Sequence, residues 1–392
     1  MKIAIIGTRG IPNHYGGFEQ FAEYLSQGLV QKGHTVTVYN SHKHPYQKSM
    51  WNGVHIIHCH DLEYKWGTIG QFIYDFNCIK DTRKRDYDII LQLGYTSSSV
   101  WGWLLPRRKS IVTTNMDGLE WKRSKFSKPV QRFLLYAEKL AIQTSDYLIS
   151  DSIGIQQYIK GKYNKASVFI PYGSNLFIFP EWSTIKKYNL QEYNYNMLIA
   201  RLEPENSIEV ILDGVVLSGT DRPFLIIGNH ETKFGNYLKE KFQKNTNIQF
   251  LGGIYDMKVL NNLRYYSNLY FHGHTVGGTN PSLLEAMGSN ALICAHDNIF
   301  NQSICGPDAF YFKLKEQVAG FLQSTIKAEH RDKLEANSDK IHDIYSWPVI
   351  VNKYLKHFTE ILLKQGRIKP LVILSENKPK QEELVYPHTR KL

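Results

Sequence analysis

A cluster of residues suited to holding phosphate and sugar hydroxyls lies between His272 and Met287, where a glycine-rich loop follows a short apolar run. Asn280 and Pro281 predict that a helix begins here, because Asn caps helix N-termini and Pro suits the first helical position. The first N–H groups of that helix, from Ser282 onward, would favour a phosphate. Glu285, one turn further on, could accept hydrogen bonds from two vicinal hydroxyls. Together they indicate a nucleotide; the alternative is an ordinary strand, loop and helix with a surface Glu.

A second glycine-rich loop follows the first predicted strand, Lys2 to Ile6, and ends in Gly16 and Gly17. A dinucleotide fold would need G-x-G-x-x-G here and an acidic residue after the next strand, which instead ends in Asn40. NAD binding is therefore not expected. The double glycine still allows the backbone to approach a ligand closely, including a phosphate.

A third group of residues that could take part in a reaction lies in a loop after another predicted strand. It consists of Asp117, Glu120 and Arg123. Loops at the carboxyl ends of parallel strands are where α/β proteins build their sites. Histidines at 55, 58 and 60 beside Cys59 raise the alternative of a metal site. No second Cys/His cluster completes a ligand set, so no metal is expected.

Strand-like runs alternate with helical ones along most of the chain, which predicts parallel sheets covered by helices. A length of 392 residues exceeds one typical core, so two domains are expected. The predicted boundaries are an N-terminal domain over 1–175, a C-terminal domain over 176–345, a closing helix over 346–365 and a polar tail over 366–392.

The composition of the chain bears on its cellular location and on its partners. No apolar run is long enough to span a bilayer, no signal-peptide pattern opens the chain, and the four cysteines lack pairing spacing, so we expect a cytoplasmic protein. The net charge is +11, and residues 1–170 hold 22 Lys and Arg against 13 Asp and Glu. This excess predicts an acidic partner, namely a membrane surface, a phosphate-bearing ligand or nucleic acid; simple solubility is the alternative.

Basic and aromatic side chains are interleaved over residues 101–128, which favours a membrane interface. No nucleic-acid-binding module signature is present, so nucleic acid is not expected as a partner. A solvated basic face with buried tryptophans is the alternative interpretation.

These features together resemble the GT-B glycosyltransferases, specifically retaining family 4. That family has a Glu-x7-Glu motif whose second Glu matches Glu285, an Arg that matches Arg201, and a closing Tyr-x-Trp that matches Tyr345 and Trp347. The resemblance covers about residues 1–363. It implies an α/β GT-B fold with two Rossmann-like domains facing a central cleft, and a C-terminal helix that closes back on the N-terminal domain.

Two positions depart from the family pattern: Gly277 replaces the first Glu, and Asn206 replaces a Lys. A bacterial subgroup similar to capsule and exopolysaccharide rhamnosyltransferases shares these departures. This chain matches four of its motifs, at residues 7–12, 15–19, 117–123 and 277–281. The resemblance implies transfer of L-rhamnose from dTDP-L-rhamnose to a lipid-pyrophosphate-linked saccharide, with retention of configuration, at the inner face of the plasma membrane.

Residue roles follow from the same resemblance. The expected catalytic residues are Asp117, Glu120, Arg201 and Glu285. The expected donor-binding residues are Gly16, Gly17, Arg201, Asn206, Gly277, Gly278, Thr279, Asn280, Ser282 and Glu285. The expected acceptor-binding residues are Arg9, Asp117, Glu120 and Arg123. Asn206 is expected to replace the missing Lys with neutral donors, while Arg201 and Arg9 supply charge.

Other functions remain open at this stage. The chain could use another sugar nucleotide such as a UDP-hexose, or it could be an inactive GT-B subunit that only binds nucleotide. A sugar-nucleotide epimerase of the same shape is a further alternative. No cofactor is expected beyond the nucleotide sugar itself.

Overall fold

The computed structural model describes residues 1–14, 16–123 and 125–368. Most of the tail expected over residues 366–392 therefore lies outside the described residues. Within them, no helix is both long enough and apolar enough to cross a bilayer.

The first half of the chain forms a sheet of eight strands among the described residues, in the order β3-β4-β2-β1-β5-β6-β7-β8. All neighbours are parallel except β3 and β4. The strands are β1 (Lys2–Ile6), β2 (Thr35–Ser41), β3 (Met50–Trp51), β4 (Val54–Cys59), β5 (Ile89–Leu93), β6 (Ile111–Asn115), β7 (Tyr147–Ser150) and β8 (Val168–Phe169). The helices are α1 (Gly17–Gln31), α2 (Glu63–Trp66), α3 (Thr68–Thr82), α4 (Lys128–Thr144) and α5 (Ile153–Tyr163). We call this part the N-domain.

The second half forms a parallel sheet in the order β11-β10-β9-β12-β13-β14. Its strands are β9 (Asn196–Ile199), β10 (Phe224–Ile227), β11 (Ile248–Gly252), β12 (Leu269–His272), β13 (Ile293–His296) and β14 (Phe310–Phe312). Its helices are α6 (Ile208–Ser218), α7 (Lys233–Lys241), α8 (Met257–Tyr265), α9 (Pro281–Gly288), α10 (Ile299–Cys305), α11 (Lys315–Ser324) and α12 (Arg331–Lys340). We call this part the C-domain. The α/β prediction is confirmed.

Shorter turns connect these elements. The 3₁₀ turns lie at Ser98–Leu104, Glu120–Lys122, Trp182–Tyr188, Pro204–Asn206 and Lys327–Glu329, and a π turn lies at Ile341–Tyr345. The C-terminal helix α13 (Trp347–Lys364) follows directly.

Helix α13 returns to the N-domain, as predicted, and packs there on α1. Trp347, at its first turn, stacks on Tyr24 with ring centroids 4.5 Å apart. Gly28 of α1 lies so close to α13 that a Cβ there would be 2.5 Å from Val351. Apolar α13 side chains join the core beneath β1 and β5, and each fully buried one stabilises the fold by about 1.5–3 kcal/mol.

The chain passes between the domains twice, and the two crossings lie side by side. Ser174 N–H donates to the Tyr345 carbonyl at 2.8 Å, and Ser174 forms a parallel bridge with Ser346. Both crossings are therefore joined by backbone hydrogen bonding at the domain boundary.

Candidate functional site

The strand orders locate a crevice in each sheet. In the N-domain, the chain order reverses between β1 and β5; in the C-domain, it reverses between β9 and β12. Ligands of open α/β sheets bind at such switch points, beyond the carboxyl ends of the strands. Loops after β1, β6 and β7 contact the loop after β12, so the two crevices share one interdomain cleft.

Two helix N-termini meet across this cleft. Helix α1 begins after Gly16, which offers no side-chain cap, and a Cβ placed on Gly17 would lie 3.7 Å from Pro281 at the start of α9. Each N-terminus carries a partial positive charge from the helix dipole. The double glycine therefore brings the N-domain backbone close to the loop that carries the second phosphate-binding candidate.

The start of α9 already uses some of its polar groups within the protein. Asn280 caps the helix, as predicted, and its Oδ1 accepts from the Ser282 N–H at 2.9 Å. The Ser282 hydroxyl pairs with the Tyr270 hydroxyl at 2.7 Å. Ser282 was expected to help bind the donor diphosphate; its N–H is bonded to the cap, and that role stays a prediction. At the start of α9, the Asn280 side chain therefore binds the Ser282 N–H, and the Ser282 hydroxyl is bonded to Tyr270.

Glu285 is held by an arginine that the sequence did not single out. The Arg264 guanidinium, which is 1% exposed, donates to Glu285 Oε2 at 2.7 Å and to Asn261 Oδ1 at 2.9 Å. Burial and then nearby charges, with Glu285 among them, raise the pKa of Tyr24 in α1. Glu285 thus lies at the cleft between α9 and α1, and the hydrogen bond from Arg264 orients its carboxylate.

Arg201 and Asn206 share the loop after β9. The buried Asn206 amide donates to the Arg201 carbonyl at 2.7 Å, whereas the Arg201 side chain is exposed. Asn206 was expected to offer its amide to the donor diphosphate, but that amide is already bonded to the protein. Asn206 therefore positions the backbone of Arg201 with one N–H of its amide, and its role in place of the missing lysine stays a prediction.

Asp117, Glu120 and Arg123 lie together on the N-domain side of the cleft. Arg123 forms a salt bridge with Glu120 at 2.7 Å, and Asp117 has a φ of 48°, stabilised by its N–H donating to Asn115 Oδ1. Burial, followed by the charge of Glu120, raises the pKa of Asp117 to about 6. Arg201 of the C-domain also acts on this carboxyl.

Asp151, directly after β7, is a cleft residue that sequence reasoning missed. Its Oδ2 accepts from the Thr279 N–H at 3.0 Å, and its carbonyl accepts from the Thr279 hydroxyl. A Cβ on Gly278 would lie 1.9 Å from Oδ2, so only glycine fits there. Burial and then the charge of Asp117 raise the pKa of Asp151 to about 8. The sequence signal that could have identified Asp151 is its position directly after a predicted strand.

The remaining glycine, Gly277, has a φ of 148° and open space around a hypothetical Cβ. A Cβ on Gly118 of the N-domain would lie 3.2 Å from the Gly277 Cα. The loop of Gly277, Gly278 and Thr279 therefore lies against the loop that carries Asp117.

Arg9 lies at the N-domain switch point but is not a free cation. Its guanidinium forms two hydrogen bonds to Glu63, at 2.6 and 2.8 Å. Arg9 was expected to supply charge and to contact the acceptor; it is paired with Glu63, and both roles stay predictions. Positive side chains lie near one another around Lys125. Burial of Lys125, followed by the nearby charges of Arg201 and Arg123, lowers the pKa of Lys125.

The basic and aromatic residues of 101–128 do not form one surface. Trp103 and Arg107 precede β6, whereas Lys122 and Lys125 follow it, so they lie at opposite ends of the sheet. Arg107 and Lys109 are also paired, with Asp146 and Asp86, each at 2.7 Å. Strand β6 therefore separates the two halves of this segment, and its role as a membrane interface stays a prediction.

Comparison with known sequences gives partial matches. Residues 1–175 match a family described as a domain of unknown function, DUF1972. An uncharacterized 42.6 kDa protein in the cps region of Klebsiella pneumoniae is 37% identical over 195 residues. That alignment covers 43% of this chain and 52% of the relative, so it spans about half of the relative's length.

Comparison with solved structures covers nearly the whole chain. Sucrose-phosphate synthase from Thermosynechococcus elongatus has a TM-score of 0.76 at 16% identity, covering 93% of this chain and 99% of that one. Anabaena HepE in complex with UDP-glucose has a TM-score of 0.69 at 12% identity, covering 93% and 100%. At these identities the similarity concerns the fold. With its two parallel sheets and central cleft, the chain has the GT-B glycosyltransferase fold.

Proposed function

We propose that the chain is a glycosyltransferase that moves a hexose from a nucleotide sugar to a lipid-pyrophosphate-linked saccharide in bacterial surface polysaccharide synthesis. The donor that we propose is dTDP-L-rhamnose. The observation that carries the proposal is the meeting of Gly17 and Pro281 across the cleft, with Glu285 one helical turn inside. Two positive helix ends beside a fixed carboxylate suit a diphosphate joined to a ribose.

The comparisons support the same class. HepE is described in complex with UDP-glucose, and the curated relative is described as a protein of a cps region. Both descriptions concern those proteins, and they agree with a nucleotide-sugar donor and a polysaccharide product for this chain.

On the donor side, Glu285 accepts hydrogen bonds from the ribose hydroxyls, and Arg264 keeps its carboxylate in place. Arg201 binds the diphosphate, with Asn206 holding its backbone. The N–H groups of the Gly16–Gly17 turn and of the Gly277–Gly278 loop are close to this position and complete the phosphate contacts. Positive charge there stabilises the leaving diphosphate.

The reaction that we propose retains the anomeric configuration. The bond between the sugar C1 and the phosphate oxygen breaks, and the acceptor oxygen bonds to C1 on the same face. The acceptor hydroxyl proton passes to the departing phosphate oxygen. Asp117 and Glu120 orient the acceptor hydroxyls, with Arg123 holding Glu120. Asp151 fixes the donor loop against the acceptor loop through Thr279.

Gly277 supports a deoxy sugar. In the resembling family a Glu at this position contacts donor hydroxyls, and the φ of 148° here disfavours any residue with a side chain. L-rhamnose lacks the 6-hydroxyl, so it needs one fewer polar contact. A UDP-hexose is the second donor that we consider, because HepE is described with UDP-glucose.

We also propose that the N-domain binds an anionic membrane surface on the face formed by α3, α4 and the turn Ser98–Leu104, here called the α3–α4 face. Phe72 of α3 and Phe133 of α4 have ring centroids 5.8 Å apart, so the helices are neighbours. Exposed apolar side chains near this face are Trp66, Ile69, Trp103 and Tyr136. Exposed cations of the two helices are Lys80, Lys128, Arg132 and Lys139.

The acidic side chains of these helices do not oppose that charge. Asp75 and Glu138 are buried, and Asp81 bonds to Arg85. Aromatic side chains combined with uncompensated cations are the composition that binds anionic lipid surfaces. A lipid-linked acceptor would then be presented at the membrane beside the N-domain.

The proposal is tested by measuring melting temperature and donor hydrolysis with dTDP-rhamnose, UDP-glucose, UDP-galactose, UDP-N-acetylglucosamine and GDP-mannose. Ligands that bind the folded chain raise its melting temperature by mass action, so no acceptor is needed. We expect that dTDP-rhamnose selectively raises the melting temperature of the chain and is selectively hydrolysed by it. The variant Glu285→Ala should lose about 1–3 kcal/mol of donor binding, through the loss of charged hydrogen bonds.

The other possible outcomes would each change a different part of the proposed function. A response to a different donor would keep the reaction class and discard rhamnose. Binding without turnover, even with a saccharide acceptor, would favour an inactive nucleotide-binding subunit. Turnover of donor into a new sugar nucleotide would indicate an epimerase. Unchanged donor affinity in Glu285→Ala would contradict the placement of the ribose.

A further inference from the structure

Two histidines lie stacked at the C-domain switch point. His272 ends β12 and His274 follows it, with ring centroids 4.3 Å apart and an angle of 15° between the ring planes. Gly273 between them must be glycine, because a Cβ would lie 2.0 Å from the Asn206 carbonyl oxygen. The pair therefore lines the crevice between β12 and β9, beside the loop of Arg201.

The rings lack hydrogen bonds although the backbone that carries them is fully anchored. The His274 carbonyl accepts from the Asn298 and Asn301 amides at 3.0 and 3.1 Å. Among the described residues, neither nitrogen of His272 and not the Nδ1 of His274 has a hydrogen-bond partner. Buried polar groups are almost always paired, so unpaired ring nitrogens beside a ligand crevice point to a ligand.

The surroundings of His274 favour an anion. Burial, followed by the charges of Arg201 and Arg123, lowers its pKa to about 3, so the ring is neutral at physiological pH. Arg264 lies on the far side, next to His272. Asp117 faces the same two arginines from the N-domain. A neutral imidazole N–H between two guanidinium groups is a hydrogen-bond donor in a positive field.

We propose that His274 is a donor-binding residue that donates a hydrogen bond to the diphosphate of the nucleotide sugar, between Arg201 and Arg123. This inference rests on the proposed function and adds a residue to its donor site. His272 is 1% exposed and supports the His274 ring from behind. His274 itself is half-buried. The arrangement supplies a contact to the diphosphate in a chain that has Asn206 in place of a lysine.

The test compares affinities for UDP, dTDP and inorganic pyrophosphate by isothermal titration calorimetry in four variants. His274→Ala should weaken binding of the nucleoside diphosphates about 10- to 100-fold, as expected for a lost hydrogen bond to a charged group. His274→Asn keeps an N–H donor and should recover part of that loss. His272→Phe keeps the stacked shape and should bind within a few-fold of wild type.

His296→Asn is the matched control, because His296 ends the neighbouring strand β13 but its Nδ1 already has a partner, the Asn298 amide at 3.2 Å. It should bind like wild type. The melting temperature without ligand separates binding from packing. It should change little in His274→Ala, since the ring makes no hydrogen bond in the unliganded chain.

The outcomes distinguish this inference from the proposed function. Wild-type affinity in His274→Ala would overturn the role of His274 and leave the glycosyltransferase proposal standing. A large fall in the unliganded melting temperature, with unchanged affinity of the folded fraction, would make His274 a packing residue and also overturn it. A wild-type chain that binds neither nucleotides nor pyrophosphate would overturn both.

Discussion

Asp151 joins the two domains through a carboxyl group that keeps its proton. Its Oδ2 accepts from Thr279, while Oδ1 is buried with no hydrogen-bond partner among the described residues. The neighbouring Asp117 adds repulsion to the cost of burial. A carboxylic acid in such a place is held neutral by its surroundings, and this couples the contact between the domains to pH.

We predict that Asp151 increasingly destabilises the folded chain as the pH rises from about 4 to about 8. In the folded chain Asp151 keeps its proton up to its pKa of about 8, whereas in the unfolded chain it ionises near its ordinary value of about 3.9. Ionisation therefore favours the unfolded chain across this interval. Asp151→Asn should have a melting temperature that depends less on pH and is several degrees higher than wild type at pH 8.

Asp339→Asn is the control for that measurement, because Asp339 is exposed on α12. Its melting profile against pH should parallel that of wild type. If Asp151→Asn also followed wild type, Asp151 would not be the titrating group.

The residues that could be predicted from the sequence are those whose signal is local. Asn280 and Pro281 were recognised as a helix start because capping depends on adjacent positions. Arg264 was missed, since its partner Glu285 belongs to a different helix and no spacing rule links them. The hydrogen bond from the Ser282 N–H to the Asn280 cap follows from adjacent positions, whereas the expected contact of Ser282 with a phosphate stays a prediction.

At the scale of elements, helix α13 is fixed to α1 by close backbone approach. The strand and helix positions were largely predictable, because alternating apolar runs reflect burial in parallel sheets. The closeness of α1 and α13 was not predictable, since it depends on Gly28 facing Val351, more than three hundred residues later in the chain.

We predict that Gly28→Ala destabilises the chain by about 1–2 kcal/mol. The new Cβ would lie 2.5 Å from Val351, and overpacking outweighs the gain in helix propensity. Gly161→Ala in α5 is the matched control, because nothing lies within 4 Å of its Cβ, and it should stabilise by roughly 0.5–1 kcal/mol. Chemical denaturation measures both. Equal effects would show that α13 yields to the new methyl group.

The α3–α4 face leads to a prediction about membranes. Arg132→Glu with Lys139→Glu should release the chain from vesicles that contain anionic lipid, because like charges then face the surface. The control, Lys233→Glu with Lys315→Glu, makes the same charge change at exposed C-domain positions and should leave vesicle sedimentation unchanged. Equal release by both pairs would mean that net charge, not this face, determines binding.

At the scale of the whole molecule, the cleft is closed by contacts between loops of opposite domains. The Gly277–Gly278 loop lies against Gly118 and Asp151, so the residues that we propose for the donor and for the acceptor meet only while the domains are together. Neither sheet contains a complete site by itself. This is why the sequence could identify the separate loops but not their contacts.

We predict that Gly278→Ala separates the domains and lowers turnover about 100-fold, because its Cβ would lie 1.9 Å from Asp151 and displaces the reacting groups. Small-angle scattering should show a larger radius of gyration. Gly320→Ala in α11, where nothing lies within 4 Å of the Cβ, should leave scattering and turnover unchanged. A Gly278→Ala variant with wild-type scattering and turnover would show that the loop can move aside without cost.

The paired crossings at Ser174 and Ser346 have a mechanical consequence. A single linker would leave rotation of one domain about the other largely unrestricted. Here a backbone hydrogen bond and a bridge join the two crossings, so we expect the domains to twist against one another less than a single linker would allow.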